Sequence, residues 1–541
     1  MKLKYVLPFL ALALLCAPVR AQDWKIYPFL PSAESLISFP VDEGHHTTEP
    51  IEWWYTTGHV VGETTGNHYS YMLTYFYYPQ SGFDGFRILN FSNDDTGAFY
   101  PQTSLVNYNT LATDHLEIGA NIFLGGNDSW VTKKDGSDLI PFEYSINATS
   151  SSGNLTLDYA ALKDPLILED DGFFEQGGGS NYTYYYSQTK NQVNGSITLN
   201  GITENVTGTS WIDRQYGSFN PYNSEDYEWM SINLSNGMDI NLWNLFTAQG
   251  EIPEGLKYKF MAVYKDENTQ YTISDFHLER LEYKFTDDDA RCYAQKWRLT
   301  STTDNVDITI ITLQHNAEVS LPIRFYEGTT TITGTVNGVA VTGEGFAELL
   351  HHYTNPELNV TSPSTDSWDS STAITWEVTN PDDGRPLTYD LEYSTDDQVT
   401  FNTIATGITS TSYLWEDSSA SVENGAEIWF KVTGNSVDNT LSGEAVSNTR
   451  ATVLATDDFQ VNDITIYPNP AVNNFIINLK TTSILPLKYE VFDLAGKVLK
   501  RNQLTPTNKK IDVEVSDLQS GLYFVKVASA GKEFISKLLI K

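Results

Sequence analysis

The feature that most constrains this chain is the recurrence, along almost its whole length, of short strand-forming runs separated by Asn-Gly, Asp-Gly and Ser-Gly steps. The segment VNGSITLNGITENVTGTSWID (193–213) alternates polar and apolar residues around Asn-Gly steps, as β-hairpins do. The segment YEGTTTITGTVNGVAVTGEGFAELLHHY (326–353) repeats this design, and helical periodicity is scarce. The sequence therefore predicts an all-β protein, and its long serial hairpins favour up-and-down barrels over a doubly wound sheet.

The length of the chain requires several domains, because 541 residues exceed what one hydrophobic core supports. Polar, Pro- and Ser-rich sequence begins near Pro356, and a second polar stretch, ATDDFQVND, covers 455–463 as a linker. Between them, 358–454 has the alternating aromatic and apolar residues of a β-sandwich, and it resembles a fibronectin type III or immunoglobulin-like module.

The amino-terminal sequence predicts export. Residues 1–21 have a basic start, a short apolar run and a small-residue cleavage site ending at Ala21, which is the pattern of a secretory signal peptide. The formal net charge of −36 excludes a nucleic-acid partner, because such a surface repels phosphate backbones. Removal of the signal takes Cys16 with it and leaves Cys292 alone, so no intramolecular disulfide is expected.

The carboxyl-terminal sequence has three strand-like segments joined by Pro-Asn-Pro, Ala-Gly and Ser-Gly turns. They are ITIYPNPAVNNFIINL (464–479), YEVFDLAGKVL (489–499) and DVEVSDLQSGLYFVKV (512–527), which together predict a small β-sandwich. The order of these segments and their amino-acid sequences resemble those of the C-terminal sorting domain of the type IX secretion system over 464–541. This resemblance implies that the secretion machinery is a partner and that the protein is secreted or held at the cell surface, with no segment spanning the membrane.

One candidate site lies in FPVDEGHHTTEPIEWWYTTGHVVG (39–62). A strand that begins near Ile51 puts Glu52 and Trp54 on one face and Trp53 and Tyr55 on the other. In an apolar pocket the Glu52 carboxyl would have a raised pKa and could act as a general acid, so we expect it to face a cavity. The alternative is that a tryptophan closes the base of a barrel and Glu52 bonds a backbone group.

A second candidate site lies in GTSWIDRQYGSFNPYNSEDYEWMSINLSNG (208–237). Alternation puts Trp211, Asp213 and Gln215 on one strand face, with Arg214 and Tyr216 on the other. An aspartate beside aromatic rings is suited to protonating an electron-rich carbon, because the rings stabilise the resulting cation. The alternative is a structural Asp213–Arg214 pair. A third cluster consists of Glu327, Glu344, Glu348, His351 and His352.

The sequence predicts neither a metal site nor a cofactor. The histidines never form the i, i+4 helical pair of HExxH, and no CxxC occurs. No GxSxG elbow, Walker loop or dinucleotide fingerprint stands in a convincing setting.

The motifs FPVDEGHH…EWWYTTGHV, GTSWIDRQYGS, EWMSINLSNG and YEGTTTITG…GEGFAELLHHY occur together and in one order. They resemble those of the carotenoid 1,2-hydratase (hydroxyneurosporene synthase), AttH-like and kievitone hydratase family of lipocalin-like proteins, over about residues 35 to 355. The resemblance implies two lipocalin-like β-barrel halves, 22–200 and 201–357, with a ligand cavity between or within them.

Carried over by motif, the resemblance implies that Asp213 and Glu52 are catalytic. Gln215 departs from the acid or histidine that relatives often have after the arginine, which puts the hydratase chemistry in doubt more than the fold. The implied ligand-binding residues are Trp53, Trp54, Tyr55, Trp211, Arg214, Tyr216, Trp229 and Glu348.

The function predicted from these features is the binding and transformation of an apolar, unsaturated isoprenoid- or lipid-like small molecule. The reaction would be alkene hydration or isomerisation by proton donation, without a cofactor. Two alternatives remain open: a non-catalytic carrier of hydrophobic ligands, and a cell-surface adhesion or carbohydrate-binding protein.

Overall fold

The structure is a computed structural model that describes residues 23–80, 82–218, 225–320, 323–416, 418, 421–454, 464–479, 487–504, 509–529 and 532–541. The predicted signal peptide, with Cys16, and the predicted linker 455–463 lie outside the described residues. Within the described part, helical structure amounts to two 3₁₀ turns, Val41–Glu43 and Thr303–Asn305. The prediction of an all-β protein is therefore confirmed.

The first sheet closes into a barrel. Its strands are β1 (Ile51–Gly62), β2 (His68–Gln80), β3 (Phe83–Asn93), β4 (Ala98–Leu111), β5 (Glu117–Ile122), β6 (Asn127–Asp135), β7 (Asp138–Thr149), β8 (Gly153–Ala161), β9 (Leu166–Ile167), β10 (Phe173–Glu175), β11 (Tyr182–Leu199) and β12 (Ile202–Ser218). Strands β1 to β8 pair in sequence order, β12 pairs with β1, and the long β11 pairs with both β12 and β8. The β8–β11 pairing closes a ring of ten strands, counted among the described residues, and leaves no free edge in that ring.

The second sheet stays open. Its strands are β13 (Asp226–Leu234), β14 (Asp239–Phe246), β15 (Lys259–Asp266), β16 (Thr269–Ile273), β17 (His277–Phe285), β18 (Cys292–Ser301), β19 (Val306–Thr312), β20 (Glu318–Val319), β21 (Phe325–Val336) and β22 (Val339–Leu349). The path runs from β16 through β13, β22 and β21 to β17, and no pairing within the described residues joins its two ends. This half is therefore a half-barrel.

The predicted division of the two halves between residues 200 and 201 falls at the turn of the β11–β12 hairpin. Strand β12 pairs with β1 over residues 206–217, so it belongs to the first sheet. The first sheet ends with Ser218 of β12, and the second begins with Asp226 of β13. The physical reason is that β12 supplies the barrel wall between β11 and β1.

The strands beyond the half-barrel form two further sheets. These strands are β23 (Leu358–Ser362), β24 (Ser367–Trp368), β25 (Ile374–Val378), β26 (Leu387–Ser394), β27 (Asn402–Ile408), β28 (Ser412–Tyr413), β29 (Glu427–Ser436), β30 (Ser442–Val446) and β31 (Ala451–Val453). One sheet has the order β23-β25-β28, and the other has the order β24-β31-β29-β26-β27 with β30 on β29.

The carboxyl-terminal domain is a separate small sandwich. Its strands are β32 (Ile464–Tyr467), β33 (Asn474–Leu479), β34 (Leu487–Phe492), β35 (Val498–Leu504), β36 (Lys510–Glu514), β37 (Gly521–Ser529) and β38 (Lys532–Ile540). They form a three-stranded sheet, β32-β33-β36, and a four-stranded sheet, β35-β34-β37-β38. One apolar core that includes Phe475, Val491, Val525 and Leu538 fills this domain.

The three largest apolar cores of the described residues lie in the barrel and the half-barrel. One core, with Trp54, Tyr71 and Trp130, fills the interior of the barrel. A second, with Met230 and Trp297, covers the inner face of the half-barrel, where the Cys292 thiol is also buried. The third core lies between the outer faces of the two sheets, because alternate residues on their strands point outward and pack against one another.

Candidate active site between the two sheets

A cavity of about 260 Å³ lies within the third core, between the outer face of the barrel and the half-barrel. Its size is close to the lower end of the range of small-molecule sites. The barrel contributes residues from β1, β2, β3, β11 and β12, and the half-barrel contributes residues from β13, β14, β21 and β22. The cavity therefore depends on both halves.

Aromatic rings form much of the cavity wall. Trp53 and Tyr55 reach it from β1, because odd-numbered positions of that strand point out of the barrel. Trp229 and Trp243 reach it from β13 and β14, and the rings of Tyr55 and Trp229 meet edge to face at 5.3 Å. Such a wall binds apolar ligands, and its ring faces stabilise positive charge.

Asp213, on β12, is the carboxylate that the barrel places in this wall, and it is 2% exposed. It accepts hydrogen bonds from the Ser187 hydroxyl and the Trp211 indole N–H, each at 2.6 Å, and from the Tyr185 hydroxyl. The sequence-based expectation that Trp211 and Asp213 share a face is confirmed by this contact. The pairing of Tyr55 with Asp213 across β1 and β12 places the carboxyl beside the aromatic wall.

Burial raises the pKa of Asp213 to about 7, against the opposing effect of its three hydrogen-bond donors, and the nearby Glu348 carboxyl raises it further. A carboxyl group with this pKa can both hold and release a proton near neutral pH. This is the environment that a general acid requires.

A second layer of polar groups orients the donors of Asp213. The Asn241 amide donates to the Tyr185 hydroxyl at 2.9 Å and to the Ser187 hydroxyl at 3.0 Å. The Trp229 indole donates to the Asn241 oxygen at 3.1 Å, so a chain of hydrogen bonds links the half-barrel to the carboxyl on the barrel. Asn241 is fully buried, which fixes this chain in place.

A pair of glutamates supplies the acidic part of the wall on the half-barrel side. Glu327 on β21 is the cross-strand partner of Glu348 on β22, and Glu348 lines the cavity. The Tyr55 hydroxyl donates to Glu327 at 3.0 Å, and the Tyr227 hydroxyl donates to Glu348. Burial and the neighbouring Glu348 carboxyl raise the pKa of Glu327 well above its usual range, and burial also raises the pKa of Glu348.

Glu52 lies outside this cavity, so the expectation that it faces the ligand is wrong. It points into the barrel, where it is fully buried and its carboxylate accepts a hydrogen bond from Arg214 at 2.5 Å. His45 and the backbone N–H of His46 also contact it. Burial acts to raise the pKa of Glu52, but Arg214 and the two histidines outweigh it and hold that pKa well below its usual range. Glu52 is therefore an ionised structural group.

Three other predicted ligand-binding residues point into the barrel, as Glu52 does. The Arg214 guanidinium stacks over the Trp54 ring at 4.0 Å, and Tyr216 donates to Asp42 at 2.9 Å while its ring stacks on His46 at 3.5 Å. None of these three side chains lines the cavity as the structure describes it. The reason is parity, since Trp54, Arg214 and Tyr216 are even-numbered neighbours on paired strands that point inward.

Sequence reasoning missed several polar residues of the site. Tyr185, Tyr227 and Asn241 had no motif to mark them, and Glu327 stood only in a loose cluster of acids. The available signal was alternation: in YTYYYS (182–187), Tyr185 falls on the opposite face from Tyr184 and Tyr186. Strand pairing was needed to show which face meets Asp213.

The acids of the cavity do not form a metal-binding group. Among the described residues, no set of three or more His, Cys, Asp or Glu side chains has the arrangement of a metal site. The hydroxyls of Tyr185 and Ser187 and the indole N–H of Trp211 already donate hydrogen bonds to the carboxyl oxygens of Asp213.

A closed barrel and a half-barrel that enclose an acid-bearing aromatic cavity define a lipocalin-like fold. The family described as AttH-like matches residues 31–353, and the chain belongs to the AttH-like family. The tail matches the secretion system C-terminal sorting domain over 465–541, which supports export to the cell surface or the medium.

One solved structure agrees with this fold, and a second is reported for its similarity alone. An AttH protein from Nitrosomonas europaea superposes with a TM-score of 0.50 at 21% identity, covering 60% of this chain and 99% of that chain. Kievitone hydratase from Nectria haematococca has a TM-score of 0.48 at 15% identity, covering 58% and 93%, which is too low a score to support an argument. The first likeness bears on the fold alone.

One curated relative also matches. The ulvan lyase NLR42 of Nonlabens ulvanivorans is 30% identical over 94 residues, which are 17% of this chain and 17% of the lyase. A match to so small a part of the lyase says nothing about the activity of this chain. Separately, the described residues include no helix with the length and apolar character needed to cross a membrane.

Proposed function

We propose that this chain is an exported protein whose cavity binds an apolar, unsaturated small molecule of isoprenoid or lipid-like type and transforms it by proton donation. The observation that supports this most is the buried Asp213 carboxyl, with a pKa of about 7, in an aromatic wall. A charged or strongly polar ligand would lose hydration here without enough partners to replace it. The signal peptide at 1–21 and the sorting domain at 464–541 would bring the barrel outside the cell.

In this proposal Asp213 donates its proton to one carbon of an isolated alkene. The electron pair of the π-bond forms the new C–H bond, and the other carbon becomes cationic. The faces of Trp229 and Trp243 lie along the same cavity and stabilise that charge. Water then adds to the cation to give an alcohol, or loss of a neighbouring proton gives the isomeric alkene.

The donors around Asp213 have a defined part in this reaction. When the proton has left, the Tyr185, Ser187 and Trp211 donors stabilise the carboxylate that remains. Asn241 holds two of those donors in place. The cavity limits access of bulk water, which keeps the pKa of Asp213 high enough for donation.

The test uses the full-length exported protein and citronellol, an isoprenoid alcohol with one trisubstituted alkene, in H₂¹⁸O and separately in D₂O. Wild type should form the diol that carries one ¹⁸O atom, or incorporate deuterium at carbon. Asp213→Asn should lower this rate by at least about 10²-fold, the usual contribution of a general acid. The matched control is Asp307→Asn on the exposed side of the half-barrel, which should leave the rate unchanged.

A result with equal turnover in Asp213→Asn and wild type would contradict the proton-donor role. Saturable binding of citronellol with neither product nor deuterium incorporation would favour the second candidate, a carrier of hydrophobic ligands. The largely apolar wall is the observation that supports the carrier, because barrels with such walls bind ligands without chemistry.

A further inference from the structure

The proposed reaction leaves a pair of glutamates on the half-barrel without a role. Glu327 and Glu348 stand opposite each other on neighbouring strands of the half-barrel. Glu327 is 1% exposed, whereas Glu348 is partly exposed and lines the cavity. Hydration of an alkene needs a group that accepts the proton of the incoming water, and this role is still unassigned.

The surroundings of the two glutamates favour a proton on the pair. One oxygen of Glu327 accepts from Tyr55, while its other oxygen, Oε2, is buried without a hydrogen-bond donor. Glu348 accepts from Tyr227 on its Oε1 atom. No cation among the described residues forms an ion pair with either carboxyl. Two adjacent carboxylates in such a site cannot both be ionised, so one proton is shared by the pair at neutral pH.

We propose that Glu348 is the second catalytic residue of this cavity, the base that takes the proton of the attacking water, and that Glu327 is a positioning residue that shares the proton of the pair. This inference rests on the proposed function. Glu348 is the member that lines the cavity, so it can reach the water, whereas Glu327 lies behind it.

The reaction balances as follows. Asp213 gives its proton to carbon, the water oxygen forms a C–O bond to the cation, and the proton released from that water passes to the Glu327–Glu348 pair. The pair changes from a singly protonated anion to two neutral acids, while Asp213 becomes a carboxylate. One proton then returns from the pair to Asp213 through water, so the net change is alkene plus water to alcohol.

The neighbourhood of the pair suits a base. Burial raises the pKa of Glu348, which makes its ionised form a stronger proton acceptor than an exposed carboxylate. The other titratable groups that face the pair are Asp213 on β12, Tyr55 on β1 and Tyr227 on β13. The two tyrosines keep their protons, because burial raises the pKa of each well above its usual range.

The test compares Glu348→Gln, Glu327→Gln and the matched control Glu344→Gln, which lies exposed on the same strand and face. With citronellol in H₂¹⁸O, Glu348→Gln should lower kcat by at least about 10²-fold. Glu327→Gln should lower kcat less and move the acid limb of the pH–rate profile to higher pH, because Glu348 loses the carboxyl partner whose hydrogen bond lowers its pKa. Glu344→Gln should match wild type.

Two further measurements separate a base from a structural group. Formate should restore part of the activity of Glu348→Ala at a pH where formate is ionised, and acetamide should not. Infrared spectra of the ligand-free Asp213→Asn protein at pH 7, which removes the protonated band of Asp213 itself, should contain a protonated-carboxyl component that changes when Glu327→Gln or Glu348→Gln is added but not when Glu344→Gln is added.

The outcomes distinguish the two proposals. If Asp213→Asn is inactive but Glu348→Gln keeps the wild-type kcat and pH profile, the role of Glu348 is overturned and the proposed function stands. If wild type converts no citronellol, the proposed function fails for this probe, and the infrared band decides whether the pair shares a proton. Absence of that component from the Asp213→Asn protein overturns the inference.

Discussion

The barrel and the half-barrel have the same dipeptide near the start of their first strands and use it in the same way. Glu52-Trp53 follows Ile51 in β1, and Glu228-Trp229 follows Asp226 and Tyr227 in β13. In both, the glutamate is fully buried toward the sheet interior and bonded to an arginine at 2.5 Å, while the tryptophan lines the shared cavity. The difference lies in the partners: Glu52 has His45, His46 and Arg214, whereas Glu228 has Arg280 and the hydroxyl of Tyr353.

The two halves differ in the closure of their sheets and in the acid that each contributes to the cavity. The closed barrel supplies Asp213 on a strand paired on both sides, whereas the half-barrel supplies Glu348 and remains open at its ends. Each half needs an ionised pair beneath its first strand, because a buried glutamate there is tolerated only when a cation and hydrogen bonds compensate its charge.

Removing either buried pair gives the largest expected effect. Glu52→Gln and Glu228→Gln should each lower the free energy of unfolding of this part of the chain by about 3–5 kcal/mol, because each leaves an arginine buried without its counter-ion. Chemical denaturation followed by tryptophan fluorescence measures this change.

The matched control for that prediction is Asp307→Asn, which removes the partner of the exposed Arg298. This variant should unfold at nearly the wild-type denaturant concentration, because exposed ion pairs contribute little. A much larger loss for Glu52→Gln than for Glu228→Gln would mean that the two halves are not equivalent in this respect.

The pH dependence of stability should separate the barrel interior from the cavity. Asp213 has its pKa raised to about 7, so its contribution to stability is present below about pH 4 and is lost as the pH rises through 7. Glu52 has its pKa held low, so its contribution is present above about pH 4.5 and is lost at lower pH.

Asp213→Asn should therefore flatten the fall in unfolding free energy between about pH 4 and 7, by a few kcal/mol in all, and Glu52→Gln should flatten the change below about pH 4. Denaturation curves at a series of pH values measure both slopes. An unchanged slope between pH 4 and 7 in Asp213→Asn would show that this carboxyl is not protonated in the folded protein.

Thiol labelling should measure how much more readily the half-barrel unfolds locally than the closed barrel does. Cys292 is fully buried on β18 and burial raises its pKa to about 12, so it reacts only when the sheet opens. A double variant, Ala120→Cys with Cys292→Ala, moves the thiol to an equally buried position on β5 inside the barrel.

We expect the thiol at position 120 to be labelled at least about tenfold more slowly than Cys292, a difference of about 1.4 kcal/mol in opening free energy. The reason is that the end strands of the half-barrel lack a second neighbour, whereas every strand of the ring is paired on both sides. Equal rates would mean that both halves open as one unit.

The smallest expected effect comes from the two tyrosines that donate hydrogen bonds to the glutamate pair, one from each half. Tyr55→Phe on the barrel and Tyr227→Phe on the half-barrel should each cost about 1 kcal/mol of stability, because each removes one hydrogen bond to a carboxyl. Thermal unfolding measures both. A neutral Tyr227→Phe beside a costly Tyr55→Phe would mean that the proton of the pair resides mainly on Glu348.

Much of the fold could be predicted from the sequence. The all-β class follows from the period of two and the turn dipeptides, which act within a few residues of chain. The shared face of Trp211 and Asp213, and the shared face of Trp53 and Tyr55, follow from the same local alternation. The sorting domain was readable because its segments carry a distinctive order of residues.

Only the tertiary structure decided which face meets the ligand. Alternation places Glu52 and Trp54 together on β1, but it does not say whether that face turns into a barrel or toward a cavity. Closure of the ring through β8 and β11 turned it inward, where Arg214 neutralises Glu52. Strand pairing across long stretches of chain brings together the Glu327–Glu348 pair and the donors of Asp213. The local sequence does not predict those pairings.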